Sequence, residues 1–546
     1  MTTDARQDAS PARLIAGGEA SLGIEFGSTR IKACLIGPGA EVLAVGGHEW
    51  ENELVAGRWS YPLEAVWSGL QAAYAELAAE CEARHGARPT GFAAIGVSAM
   101  MHGYLAFDAA GELLVPFRTW RNTSTGPAAT ELTAALGFNI PLRWSVAHLY
   151  QAVLDGEEHV GRIASLTTLA GYVHRALTGR SVLGVGDASG MFPIDPETGG
   201  YDAGRLARAD ELVGARMPGL RLSALLPEVL PAGAGAGALT AAGALLLDPS
   251  GGLRPGIPFC PPEGDAGTGM VATGAVAPRT GNVSVGTSVF AMVVLERALA
   301  DVHPEIDVVA TPDGAAVAMV HCNNGASELG AWAVVFREFA GALGGGRPID
   351  ADEVFGVLMR AALEGEADGG GLLGYNFLSG EPIAGLEAGR PLVARTPGSR
   401  LTLANFMRTQ LYGVFATLAL GMEVLAGEGV GVDRMSAHGG VFRTPVVAQR
   451  VLAAVLGVPV GVEASASEGG AWGIAVLAGY LREASALSLP DYLAQRVFAH
   501  ASSSVEEPHA ADVAGFRRYL ERFRAGLDIE RAAVAALNDD PEEGER

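Results

Sequence analysis

Between residues 22 and 36 the chain reads LGIEFGSTRIKACLI, an apolar approach, a Gly-Ser-Thr turn and a second apolar stretch, which is the pattern of a β-hairpin. Residues 41–46 extend such a sheet, and Pro62 to Cys81 has the apolar spacing and Ala/Leu/Glu content of an amphipathic helix. Phe92 to Asp108 reads as two strands with a polar interruption at Met101, His102 and Gly103, and Ala147 to Gly179 contains helical stretches. Residues 231–252, rich in Gly and Ala, read as a strand with loose connections. Gly281 to Val294 then repeats the first hairpin as strand, Gly-Thr-Ser turn, strand, which suggests two duplicated lobes gripping one polyphosphate. A long helix follows over Leu401 to Leu425, and Met435 to Val460 gives a strand end, a Gly-Gly turn, a helix and a return strand. Ala466 to Leu481 is a further buried helix, and the charged helical remainder from about residue 500 reads as a solvated tail.

A chain of 546 residues exceeds what one compact core organises, so two or more domains are expected. Hydrophobic content of 49% with 18% charged residues excludes a disordered chain. No apolar run has the length and freedom from charge, Gly or Pro that favours a membrane span, and the mixed-charge N-terminus does not resemble a secretory signal, so a cytoplasmic protein without a membrane partner is expected. Residues 1–20 read as a mobile start. The four scattered cysteines, Cys34, Cys81, Cys260 and Cys322, lack the spacing of a zinc site or disulfide framework. A net charge of -23 argues against a nucleic-acid partner, which needs a basic footprint.

The candidate chemistry centres on FCPPEGDAGTGMVATGAV (Phe259 to Val276), where Asp265 stands among Gly264, Gly267 and Gly269 as a loop enters a helix. Little side-chain bulk surrounds the carboxylate, so a substrate hydroxyl and a phosphate can approach the backbone, although a helix-capping Asp in a Gly-rich turn gives the same pattern. In the first hairpin turn, Ser28 and Thr29 can face an anion, as can Gly286 and Thr287 in the second, and an ordinary structural hairpin fits as well. His102, followed by Gly103, stands at a strand end where binding residues often lie, against the alternative of a satisfied core histidine. The polar segment around Trp120, Arg121 and Asn122 reads as a binding loop or an exposed turn, and Gly439 and Gly440 leave room for a flat ligand against backbone.

Taken in order, these segments resemble the FGGY family of carbohydrate kinases over roughly residues 20–490. IEFGSTRIKA is similar to the family's first phosphate motif, MMHG to the sugar-contacting motif of xylulokinase-type members, and EGDAGTGMVATG to the segment with the catalytic aspartate. VGTS is similar to the second phosphate motif, and HGGVFRTPVVAQRVLAAVLGVPV to the adenosine motif, which with FGS also leans toward ribulokinases. The resemblance implies an α/β protein of the actin-like ATPase fold: two ribonuclease-H-like lobes around a deep cleft. The implied sugar-binding lobe spans 21–276 and ends in the catalytic Asp, the ATP-binding lobe spans 277–500, and 501–546 is a charged helical tail. A hinge is implied near residues 272–282.

The same resemblance implies that Asp265 is the catalytic base and contacts substrate with Met101, His102, Trp120 and Asn122. Ser28, Thr29, Gly286 and Thr287 would hold phosphates, Gly439 and Gly440 would flank the adenosine, and Glu25 would serve Mg²⁺. The reactants are then ATP and a small ketose or polyol, xylulose-like first and ribulose-like second. A nucleotide-binding sensor without sugar transfer is the reading from a different class. Related kinases are often dimers, but the sequence identifies no interface. Three positions depart from the family pattern: Glu25 stands for the usual Asp, Trp120-Arg121-Asn122-Thr123-Ser124 for Trp-Asn-Asp-x-Arg, and His438 for the first glycine of the adenosine motif.

Overall fold

The computed structural model describes residues 10–344, 349–463, 469–499 and 503–537. The chain forms two compact units: 1–277 with 308–317 and 465–501, and 278–307 with 318–464 and 502–546. It first passes from one to the other between Ala277 and Pro278, inside the segment 272–282 expected to carry a hinge.

The first unit is built on a five-stranded sheet, in the order Glu263–Gly264, Ala94–Ala99, Ser21–Phe26, Arg30–Ile36, Val42–Glu49. The last three strands form an antiparallel meander, whereas Ala94–Ala99 runs parallel to Ser21–Phe26 and Glu263–Gly264 parallel to Ala94–Ala99. Helix Leu63–His85 covers Val42–Glu49, and helix Gly469–Tyr480 covers Ser21–Phe26. Both helices approach so closely that only glycine fits beneath them: a Cβ on Gly46 would lie 2.1 Å from the Ala73 carbonyl oxygen, and one on Gly23 would lie 2.0 Å from that of Ala471. Strand side chains such as Leu22, Ile24, Phe26, Ile95 and Val97 are fully buried, which is why these strands read as near-continuous apolar runs.

The second unit repeats the plan. The seven-stranded sheet on which it is built, of which residues 308–317 group with the first unit, runs Ile306–Ala310, Ala316–Cys322, Val289–Val294, Thr280–Val285, Arg434–Gly439, Val460–Glu463, Ser503–Glu506. As in the first unit, the leading hairpin strand pairs antiparallel with its neighbour and parallel with a later strand: Phe26 opposes Ala99 in one sheet, and Val285 opposes Gly439 in the other. In each unit that later strand therefore delivers a candidate ligand loop beside the hairpin turn, at the carboxyl ends of parallel strands where α/β sheets bind ligands.

Four expectations are corrected. Residues 231–252 are not a strand: Ala241–Leu247 is a helix, capped by Thr240 accepting from Gly243 N–H and burying Leu247. Pro11–Gly17, expected to be mobile, is a helix that buries Leu14 and Ile15; residues 1–9 lie outside the described residues. The segment from residue 500 is no solvated tail. Ser503–Glu506 closes the edge of the second sheet, and helix Ala510–Ala525 buries Phe516, Tyr519 and Phe523, with Asp512 bonded to Arg408 and Arg450. The terminal DDPEEGER lies outside the described residues. Finally, the 277–500 lobe loses Gly469–Tyr480 and residues around it to the first unit, because the apolar surface of that helix matches the face of the first sheet. Among the described residues, only helix Leu403–Gly427 is long and apolar enough to cross a membrane, and 67% of its most apolar 18-residue stretch is buried inside the protein, as in a core helix.

Candidate active site

Helix Asp265–Ala272 starts directly after the edge strand Glu263–Gly264, with Gly264 rather than Asp265 as its N-cap. Asp265 is thus the first helical residue, and its carboxylate is free of the capping role that a Gly-rich turn would also explain. Its Oδ1 accepts a 3.0 Å hydrogen bond from the Met101 backbone N–H. The residue remains open to solvent, yet the dense protein beneath it desolvates the carboxyl and raises its pKa, opposed by the backbone N–H groups of Met101 and Ala266.

Met101 and His102 sit just past strand Ala94–Ala99, both buried. His102 (φ 70°) and Gly103 (φ 100°) are consecutive left-handed residues, a sharp reversal that costs a non-glycine residue on the order of 1 kcal/mol. The His102 ring stacks near Trp144, with centroids 6.4 Å apart, and its Nδ1 lies 3.3 Å from the Gly190 carbonyl oxygen.

Behind the aspartate lies a second acidic pair. Asp187 and Glu263 are both buried; Glu263 accepts from the backbone N–H groups of Gly186 and Asp187, and Asp187 accepts from Thr168 Oγ1 at 2.6 Å. Burial pushes both well above the usual carboxylate range, and the charge of Asp265 adds to the rise at Asp187 as that of Asp187 does at Glu263. Nothing in the sequence pattern distinguished them from ordinary loop acids.

Glu25 lies on Ser21–Phe26, opposite Ser98 and Lys32. A Cβ on Gly470 would come within 2.3 Å of Glu25 Oε1 and 2.9 Å of Thr268 Oγ1, so the longer carboxylate is seated against a glycine backbone next to the helix that begins with Asp265. The Ser28–Thr29 turn is held from outside: Trp50 Nε1 donates to the Gly27 carbonyl at 2.7 Å and Tyr61 Oη to that of Ser28 at 2.6 Å. Neither anchor was foreseeable, since they lie 23 and 33 residues away in sequence.

Asn122 is placed differently from expectation. Its Oδ1 accepts from Trp59 N–H at 2.9 Å, and its Nδ2 donates to the carbonyls of Trp59 and Thr119, so the amide staples its own loop. Arg121 stacks over the Trp59 ring at 4.1 Å and bonds Asn52, while Trp120 is half-buried against the core.

In the second unit, Gly286, Thr287 and Gly440 line one cavity of about 540 Å³, together with Val285, Ser327, Gly330, Phe355, Arg443 and Thr444. Gly439 stands beside it with φ 125°, where a Cβ would meet the Val285 carbonyl oxygen at 2.0 Å. Ser327, Gly330 and Phe355 come from two later helices, a convergence that no local sequence pattern signals. His438 is half-buried, and burial lowers its pKa, keeping the imidazole neutral.

A carboxylate at a helix start in one unit and a glycine-walled cavity beside a hydroxyl-bearing turn in the other define a phosphotransferase of the two-domain, actin-like class. The chain belongs to the FGGY family of carbohydrate kinases: the model of its N-terminal domain matches residues 20–272, and that of its C-terminal domain residues 281–482. A search of curated protein sequences gives no match. Among solved structures, the chain is similar to xylulose kinase from Rhodospirillum rubrum, at 21% identity and a TM-score of 0.75 over 95% of this chain and 99% of that one. It is also similar to ligand-bound xylulose kinase from Lactobacillus acidophilus, at 16% identity and 0.76 over 95% and 98%. Gluconate kinase from Lactobacillus acidophilus aligns at 17% identity and 0.75 over 94% and 98%. Identities this low establish the shared fold, and the sugar is a separate question.

Proposed function

We propose that this protein transfers the γ-phosphoryl group of ATP to a hydroxyl of a small ketose or polyol, xylulose-like first and ribulose-like second. The reading is carried by one observation, the Asp265 carboxylate held by Met101 N–H beside the strained His102 turn. Asp265 accepts the proton of the attacking hydroxyl, late in a loose transition state, and the bond from Met101 aims the carboxylate at that proton. Met101 and His102 bind the sugar, with the imidazole reading a hydroxyl and Trp120 supplying an apolar edge. Asn122 acts at one remove, holding the loop that presents Trp120, since its amide is spent on Trp59 and Thr119.

Ser28 and Thr29 bind phosphate, as do Gly286 and Thr287, each turn offering backbone N–H groups and hydroxyls to the charge. Gly439 and Gly440 admit the adenosine. Glu25 is an oxygen donor suited to Mg²⁺, which takes one or two carboxylates alongside waters and phosphates. Bound there, the ion neutralises charge on the phosphates.

The test is ADP release with MgATP across a panel of ketoses, aldoses, polyols and sugar acids, for the native protein and Asp265→Asn. Release that depends on one sugar and collapses in the variant supports the reading and identifies the substrate. Nucleotide binding with no sugar-dependent release sinks it in favour of a sensor, and full activity in the variant removes Asp265 from its role.

A further inference from the structure

Behind the Gly286–Thr287 turn lies a buried polar network that the chemistry above leaves unused. Gly325 N–H donates to the Thr287 carbonyl at 2.7 Å, and Ala326 N–H to that of Gly286 at 2.8 Å, so the turn is carried by the segment just before helix Ser327–Leu343. The fit is tight: a Cβ on Gly325 would lie 2.5 Å from the Gly286 carbonyl oxygen. That segment is in turn gripped from below. Asn324 Oδ1 accepts from Leu378 N–H at 2.8 Å and Ser379 N–H at 3.0 Å, and Asn376 Nδ2 donates to the Asn324 and Gly325 carbonyls at 3.2 and 2.7 Å.

The network ends on Glu381, which is fully buried. Its Oε2 accepts from both Asn324 N–H at 3.2 Å and Asn324 Nδ2 at 3.1 Å. Its Oε1 has no protein partner, and the buried Cys322 thiol is the titratable neighbour. A buried carboxyl is costly unless its bonds matter, and burial pushes this one up to about 7. Every bond that Glu381 side-chain oxygens make leads to the segment that fixes the Gly286–Thr287 turn, within one compact unit.

We infer that Glu381, acting through Asn324, is a positioning residue for nucleotide phosphate binding, holding the Gly286–Thr287 turn from behind without touching the ligand. The inference rests on the kinase reading above and adds a residue to it. Glu381→Ala removes the acceptor of two bonds and frees the Asn324 segment. Glu381→Gln keeps one acceptor oxygen at the same reach and places its amide where Oε1 has no partner.

The experiment measures MgADP affinity calorimetrically without sugar, then KM for ATP and for the sugar. Glu381→Ala is expected to weaken MgADP and raise KM for ATP by about tenfold while KM for the sugar moves less than about twofold, and Glu381→Gln to recover most of the loss. Asn376→Ala, which removes a different strut of the same segment, is expected to shift the same constant in the same direction and serves if Glu381→Ala does not fold. Unchanged nucleotide affinity in folded variants, or equal shifts in both KM values, overturns the positioning role. A native chain that binds no nucleotide overturns the kinase reading and this inference together, whereas native nucleotide binding without sugar turnover removes only the former.

Discussion

Met101 and Asp265, 164 residues apart in the chain, are joined by a single 3.0 Å hydrogen bond from the backbone of one to the carboxylate of the other. The bond links the turn after strand Ala94–Ala99 to the start of the helix beside it, so the candidate base is oriented by the backbone of the candidate sugar-binding turn. Replacing Asp265 by Asn keeps the size of the side chain and removes its capacity to take a proton. The expected result is a fall in kcat of about 10²- to 10⁴-fold with MgADP affinity unchanged, measured by steady-state kinetics and calorimetry.

Burial raises the Asp265 pKa, and the base must be ionised to work. Activity is therefore expected to fall as the pH drops through a value above about 3.9, the ordinary aspartate range. A profile of kcat/KM against pH checks this; an acid limb at or below that ordinary value contradicts it.

Glu25 and Gly470 are expected to be coupled, because a Cβ on Gly470 would overlap Glu25 Oε1 at 2.3 Å. Gly470→Ala should cost about 1–3 kcal/mol from overpacking and also raise the Mg²⁺ concentration needed for half-maximal rate. Glu25→Gln should raise that concentration without the overpacking. Denaturant melts combined with Mg²⁺ titrations separate the two effects.

Asp187 and Glu263 carry raised pKa values in the folded state, so the folded protein holds protons that the unfolded chain releases near pH 4. Their contribution is full below that point and is lost as the pH rises through the folded values, about 7 and about 8. Stability is expected to decline across this window, and Asp187→Asn should flatten the decline. Urea midpoints at a series of pH values decide it; parallel slopes for the native and variant proteins would contradict the assignment.

Gly439 combines φ 125° with a carbonyl oxygen 2.0 Å from any added Cβ. Gly439→Ala must therefore push Val285, and with it the cavity wall, out of place. MgADP affinity is expected to fall about tenfold or more, while Gly440→Ala, with open space around it, should cost less. Comparing the two by calorimetry isolates the backbone clash.

Both hairpins, the helix Leu63–His85, the Asp265 loop and the Gly439–Gly440 turn were legible because each is specified locally, by apolar periodicity or by glycines at fixed points. The Gly/Ala-rich segment 231–252 is not legible in the same way, since small residues carry no periodic signal and only packing against neighbouring helices selects the helix Ala241–Leu247. The charged C-terminal helix was misread for the opposite reason. Its arginines dominate the sequence pattern, yet Phe516, Tyr519 and Phe523 on one face are buried.

By itself, then, the sequence determined the two hairpin turns, the aspartate at a helix start and the family to which they belong, all of which depend on contiguous residues. Only the tertiary structure decided that Met101 holds Asp265, that Asn122 is consumed by Trp59, and that Glu381 braces the Gly286–Thr287 turn through Asn324. The physical reason is that a polar side chain's role is set by which partner satisfies it when buried, and those partners lie tens to hundreds of residues away, where no local pattern records them.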